Sequence, residues 1–171
     1  GGKYYNLMRK VFLVGMPGSG KSRMAKFISS VTDFHYKDLD DEIERIEGKS
    51  IKEIFKNNSE TYFRNKETEI LKKIIEKDKN LIIATGGGTP CFNKNIDLIN
   101  KSGLSIFLNT SLDVLVERIS RKDKRPLFNN KDVEETVKKM FEERIKFYSK
   151  SRYHVTKNNR DKVLSIINSY A

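Results

Sequence analysis

The chain has 171 residues, 37% hydrophobic and 33% charged. That balance excludes a disordered chain and suits one domain around one core. Lys and Arg number 34 against 23 Asp and Glu, a net charge of +11; no apolar run approaches the ~18 residues that span a bilayer. One cysteine, Cys91, excludes an internal disulfide and a multi-cysteine zinc site. The basic surplus is spread along the chain without a block of like charges. It reads as a Lys-rich solvated surface, so neither nucleic acid nor membrane is expected as a partner. The polar opening stretch GGKYYNLMRK has no leader-like pattern. A monomer in a reducing cytoplasm is expected.

In chain order, short apolar runs alternate with longer helical patterns. Residues 10–14 (KVFLV) read as a buried strand, and 21–30 as a helix. A weaker strand at 34–36 precedes helical stretches at about 40–47, 51–57 and 60–77. Ser50-Ile-Lys-Glu53 matches a capping box, and Phe63, Ile70, Leu71, Ile74 and Ile75 give the third stretch its helical spacing. Residues 80–84 and 104–108 read as buried strands, with a helical pattern at 93–101 between them. Helices at 112–121 and 132–149, a weak strand at 153–156 and a helix at 161–170 complete the chain. Strands alternating with helices predict an α/β domain around a parallel sheet. No repeat or linker divides it, so residues 1–171 are expected to form one domain.

The strand at 10–14 runs into Gly15-Met16-Pro17-Gly18-Ser19-Gly20-Lys21-Ser22, which fits the phosphate-loop pattern G-x-x-x-x-G-K-[ST]. Glycines let the backbone curl its N–H groups around phosphate oxygens, and the next helix adds its positive end. Lys21 is expected to reach the β- and γ-phosphates, and the Ser22 hydroxyl to ligate Mg²⁺. A nucleoside triphosphate is therefore a ligand.

Asp38-Leu39-Asp40 follows the second strand. In extended backbone the two carboxylates would share a side, one serving a metal and the other a substrate hydroxyl. The competing reading makes Asp38, Asp40 and Asp41 caps of the next helix. Arg64 and Glu67 are three apart on one helix face, either a solvated ion pair or an oriented fork for an anion. Gly86, Gly87 and Gly88 follow a sheet strand, where a ligand approaches the main chain or the chain simply turns. Arg118 and then Arg125-Pro126-Leu127 come later, the latter in a polar stretch suited to a mobile cover bearing positive charge. Arg144 and Tyr148 lie one helical turn apart, on a functional or a merely solvated face.

Taken in order, these residues resemble the shikimate kinase family of the P-loop, nucleoside-monophosphate-kinase-like group. The resemblance rests on GMPGSGKS at 15–22, D-x-D at 38–40, F-R-x-x-E at 63–67, G-G-G at 86–88, R-P-L at 125–127 and R-x-x-x-Y at 144–148. It implies a three-layer α/β/α fold with a five-stranded parallel sheet, a substrate-binding region about 40–67, and a lid about 122–132. It also implies transfer of the ATP γ-phosphoryl group to the 3-hydroxyl of shikimate, a step toward chorismate and the aromatic amino acids. By position, Asp38 resembles a Mg²⁺ carboxylate acting through water, and Asp40 the residue binding the substrate hydroxyls and able to act as base. Arg64 and Arg144 resemble the pair that clamps the shikimate carboxylate, with Glu67 orienting Arg64 and Gly87 donating an N–H. Arg125 resembles a lid arginine reaching the phosphates, and Arg118 one near adenine; Arg23 and Arg160 are placed as ATP contacts. The chain departs from the family pattern at Arg23, which follows the Lys-Ser of the loop, at Phe128, and at 156–161, which lacks the usual proline. A gluconate or nucleotide kinase would share the loop without both arginine clamps. A basic ATP-dependent nucleic-acid binder would interleave aromatics with a basic stripe; Lys3, Tyr4 and Tyr5 give only a faint hint of one.

Overall fold

A computed structural model describes residues 9–77, 79–122 and 130–170. The elements are β1 (Lys10–Val14), α1 (Lys21–Val31), β2 (His35–Asp38), α2 (Leu39–Glu47), α3 (Ile51–Asn57) and α4 (Glu60–Ile75). They continue with β3 (Leu81–Ala84), a 3-10 turn (Thr89–Cys91), α5 (Asn95–Ser102), β4 (Leu104–Asn109), α6 (Leu112–Lys122), α7 (Asn130–Tyr148), β5 (Tyr153–Thr156) and α8 (Arg160–Ser169).

The five strands form one sheet in the order β2-β3-β1-β4-β5, and every pairing is parallel. β1 lies at its centre with all five residues buried, as a strand covered on both faces requires. Successive side chains alternate between the faces. Phe12, Val14, Leu81, Ile83 and Phe107 pack with α2 to α7 through residues such as Ile43, Ile54, Ile70 and Tyr148. Val11, Leu13, Ile82, Ile106 and Leu108 pack with Met24, Ala25 and Ile28 of α1 and Val163 and Ile167 of α8. Burying each such side chain is worth roughly 1.5–3 kcal/mol. Helices on both faces of a parallel sheet give the expected three layers.

Local chemistry sets the boundaries. Ser50 Oγ accepts the Glu53 N–H at 3.1 Å, the predicted capping bond, and the Glu44 carboxylate accepts the neighbouring Ile51 N–H at 2.9 Å. Three expectations need correction. β2 runs over 35–38 rather than 34–36; it is a half-buried edge strand held through its pairing with β3, so its apolar pattern is faint. The chain is not extended through Asp38-Leu39-Asp40, because α2 begins at Leu39 with Asp38 as its cap. The helix read at 93–101 starts at Asn95, since Asn93 and Lys94 both adopt left-handed backbone. The carboxyl ends of β1 and β3 carry the phosphate loop and the glycine triplet side by side. In an open α/β sheet that edge is where ligands bind.

Candidate active site

The phosphate loop is held by side-chain donors, one of its own and the rest from outside it. The Lys21 ammonium donates to the carbonyls of Gly15 (2.7 Å) and Met16 (2.9 Å). Arg118 donates to the Gly18 carbonyl at 2.9 Å. The Ser19 carbonyl accepts from Thr110 Oγ1 and Asn158 Nδ2, each at 3.0 Å. Gly20 caps α1 with φ 93°, a left-handed conformation that favours glycine; a Cβ there would lie 2.7 Å from Asn158 Nδ2. The Ser19 hydroxyl oxygen is buried without a hydrogen-bond partner. An unsatisfied buried polar atom in such a loop suits an incoming phosphate oxygen.

Next to the loop, the Ser22 hydroxyl donates to Asp38 Oδ2. Asp38 Oδ1 accepts the Asp41 N–H at 3.1 Å, so this carboxylate both caps α2 and reaches the loop. Among the described residues no group of three or more His, Cys, Asp or Glu side chains could hold a metal. A hydroxyl and a carboxylate oxygen nonetheless suit Mg²⁺, which takes few protein ligands and completes its shell with water and phosphate.

Asp40 sits in the first turn of α2. Burial, then the charges of Asp38 and Glu67, push its carboxyl up to about 6, while Lys21 opposes the rise. Helical backbone, not the extended backbone expected, places it beside Asp38. The glycine triplet explains what surrounds it. A Cβ at Gly86 would lie 2.7 Å from Asp40 Oδ1; at Gly87, 2.7 Å from Pro17 and 3.1 Å from Arg144 Nη1; at Gly88, 2.6 Å from the Arg64 guanidinium nitrogens. Three consecutive missing side chains thus make room for one acid and two arginines.

Arg64 and Glu67 form no solvated ion pair. They are 3.1 Å apart with Glu67 only 1% exposed, and the Thr89 hydroxyl donates to the second Glu67 oxygen at 2.8 Å. Burial raises the Glu67 carboxyl, and Arg64, Thr89 and Arg144 counter it. On α7, Tyr148 is fully buried and its hydroxyl donates to the Gly87 carbonyl at 2.6 Å. One turn earlier, Arg144 is brought to the same glycine. The solvated-face reading of these two residues does not hold.

Other predicted residues gather less closely. Arg23 is exposed in the first turn of α1. The Arg160 guanidinium lies 4.3 Å above the Phe27 ring, against the middle of α1. Arg118 is at the loop itself. Arg125 and most of the segment about 122–132 lie outside the described residues. Thr89, Thr110 and Asn158 were not foreseen as site residues. The resemblance puts 156–161 on the ATP side of the site, but nothing in sequence assigns the Asn158 amide to a loop 139 positions away.

Known proteins resemble this chain over most of its length. The family model described as shikimate kinase matches residues 17–171. A shikimate kinase from Clostridium botulinum (strain 657 / Type Ba4) is 40% identical over 166 residues, covering 95% of this chain and 96% of that protein. The crystal structure of shikimate kinase from Bacteroides thetaiotaomicron superposes with a TM-score of 0.86 at 28% identity, covering 94% and 97% of the two chains. A shikimate kinase from Acinetobacter baumannii in complex with shikimate gives 0.85 at 27% identity, covering 99% and 98%.

Proposed function

The chain belongs to the shikimate kinase family, and from that premise we propose how its residues carry the family reaction. The enzyme transfers the γ-phosphoryl group of ATP to the 3-hydroxyl of shikimate, giving 3-phosphoshikimate and ADP. The observation that supports the assignment of residues is the glycine triplet, whose missing side chains face Asp40, Arg144 and Arg64 in turn.

Phosphoryl transfer asks a protein for alignment and charge neutralisation more than covalent chemistry. The loop 15–22 takes the ATP phosphates, with Lys21 leaving the Gly15 and Met16 carbonyls for the β- and γ-oxygens. Arg64 and Arg144 bind the shikimate carboxylate, and Glu67 with Thr89 fixes the Arg64 fork. Gly87 offers its N–H to the same substrate. Asp40 orients the 3-hydroxyl and takes its proton as the oxygen attacks; its raised affinity for protons suits that step near neutral pH. Ser22 and Asp38 would hold Mg²⁺, which neutralises phosphate charge when bound. Arg125 is assigned to the transferring phosphate on the family resemblance. We also propose one domain over residues 1–171, with a substrate region about 40–67 and a lid about 122–132.

A coupled assay of ADP release tests the substrate. Turnover with shikimate, and none above background with gluconate or nucleoside monophosphates, is expected. Equal turnover with any of these would overturn the reading.

A further inference from the structure

The loop between the 3-10 turn and α5 contains two consecutive left-handed residues, Asn93 (φ 52°) and Lys94 (φ 56°). Side chains with a Cβ seldom adopt that region, and lysine has no local hydrogen bond to favour it. Asn93 fastens the turn to α4. Its amide donates to the Arg64 carbonyl (3.2 Å), Asn65 Oδ1 (3.3 Å) and Thr68 Oγ1 (3.0 Å). Strain that persists because its surroundings hold it in place points to a use.

Immediately before this turn stands Phe92, in extended backbone. The Arg64 guanidinium carbon lies 4.1 Å from its ring centroid, closer than the 5.0 Å to Phe63. Phe92 is half-buried and belongs to neither apolar cluster of the described residues. The ring therefore serves the arginine, not the core. One hydrogen bond from Arg64 Nη1 to Glu67 and the ion pair of Nε with Glu60 tie the guanidinium by two of its nitrogens. Contacts made at its nitrogens do not cover the flat face of the guanidinium. An aromatic face holds that plane, because the negative quadrupole attracts the cation over the ring.

We propose that Phe92 is a positioning residue for the substrate carboxylate. It sets the plane of the Arg64 guanidinium, and the strained Asn93–Lys94 turn is the mount that aims the ring. The inference rests on the assignment of Arg64 as a carboxylate ligand.

The test uses the full chain with Phe92→Leu, Phe92→Tyr and, as a control on the clamp, Arg64→Ala. Leucine keeps apolar bulk and removes the quadrupole; tyrosine keeps both. Phe92→Leu should raise the shikimate KM about three- to tenfold and leave the ATP KM unchanged, and Phe92→Tyr should restore it. A shikimate analogue without its carboxylate should give the same kcat/KM with wild type and Phe92→Leu. Phe92→Met is a second non-aromatic variant should thermal unfolding show that the leucine form does not fold. A wild-type shikimate KM in Phe92→Leu beside a raised one in Arg64→Ala would overturn the role of Phe92 and leave the clamp standing. A wild-type KM in Arg64→Ala would remove the clamp, and this proposal with it. Tyrosine as impaired as leucine, or an ATP KM that rises in step, would make Phe92 a packing residue and overturn the proposal.

Discussion

Gly88 and Arg64 share one space: a Cβ at position 88 would lie 2.6 Å from both Nη1 and Nη2 of the guanidinium. The backbone at Gly88, φ −92° and ψ −9°, is open to any residue, so glycine is there for the neighbour and not for the turn. Gly88→Ala should therefore fold, because the obstacle is the far end of a flexible side chain. The displaced guanidinium should raise the shikimate KM by about tenfold, the loss of one charge-assisted contact. Thermal unfolding and separate KM values for shikimate and ATP check this; an unchanged shikimate KM would show that Arg64 moves aside without consequence.

Arg64 and Arg144 reach the glycine triplet from different helices, α4 and α7, and should contribute separately. Each Arg→Ala change removes a charge-assisted contact of roughly 1.5–3 kcal/mol, or about ten- to a hundredfold in kcat/KM for shikimate. Arg64→Ala should also destabilise the fold, since it leaves the buried Glu67 carboxylate with Thr89 and without its ion pair. Arg144→Ala should leave Glu67 paired and the melting temperature nearly unchanged. Equal stability losses in the two variants would contradict this division.

Asn158 lies in left-handed backbone, φ 47°, while its amide holds the Ser19 carbonyl of the phosphate loop. The two roles separate by substitution. Asn158→Gly keeps the conformation and loses the amide; Asn158→Ala loses the amide and adds a left-handed cost of ~1–2 kcal/mol. Both should raise the ATP KM by a similar factor, and alanine alone should markedly lower the melting temperature. A wild-type ATP KM in both would mean that Thr110 alone fixes the Ser19 carbonyl.

The sequence was legible where a signal is local or strongly periodic. β1, β3 and β4 are mostly apolar runs, and the phosphate loop carries its own glycine and Lys-Ser pattern, so the strands fall within one residue of the expected bounds. β2 was harder: as an edge strand its burial comes from one neighbour, leaving little periodicity in His35-Tyr36-Lys37-Asp38. Local spacing could place Arg64 beside Glu67, but their burial depends on Thr89 and Gly88, more than twenty positions on. For Asp38-Leu39-Asp40 local spacing left extended backbone and a helix cap both open; Asp38 is the cap, and the chain turns into α2 before the pair is complete. Asn93 and Lys94 read as helix, since nothing nearby in sequence announces contacts with Arg64 and Thr68.

Asp40 connects stability and catalysis through one proton. Burial and the nearby Asp38 and Glu67 charges raise its carboxyl from 3.8 to about 6, so the folded protein holds this proton more tightly than the unfolded chain. Its contribution to stability is therefore greatest below 3.8, falls as pH rises to about 6, and is a constant penalty above that. Asp40→Asn removes the penalty while keeping the shape. The variant should melt higher than wild type at pH 8, and the difference should shrink toward zero near pH 4. Catalysis should move the other way. If Asp40 takes the hydroxyl proton, wild-type kcat/KM should fall as pH drops through about 6, and Asp40→Asn should lose both that limb and about a hundredfold or more in kcat, the usual worth of a general base. Thermal unfolding across pH 4–8 and kcat/KM over the same range check both halves. A variant that is more stable yet retains wild-type kcat would leave Asp40 as a buried carboxylate that destabilises the fold and does not act as the base.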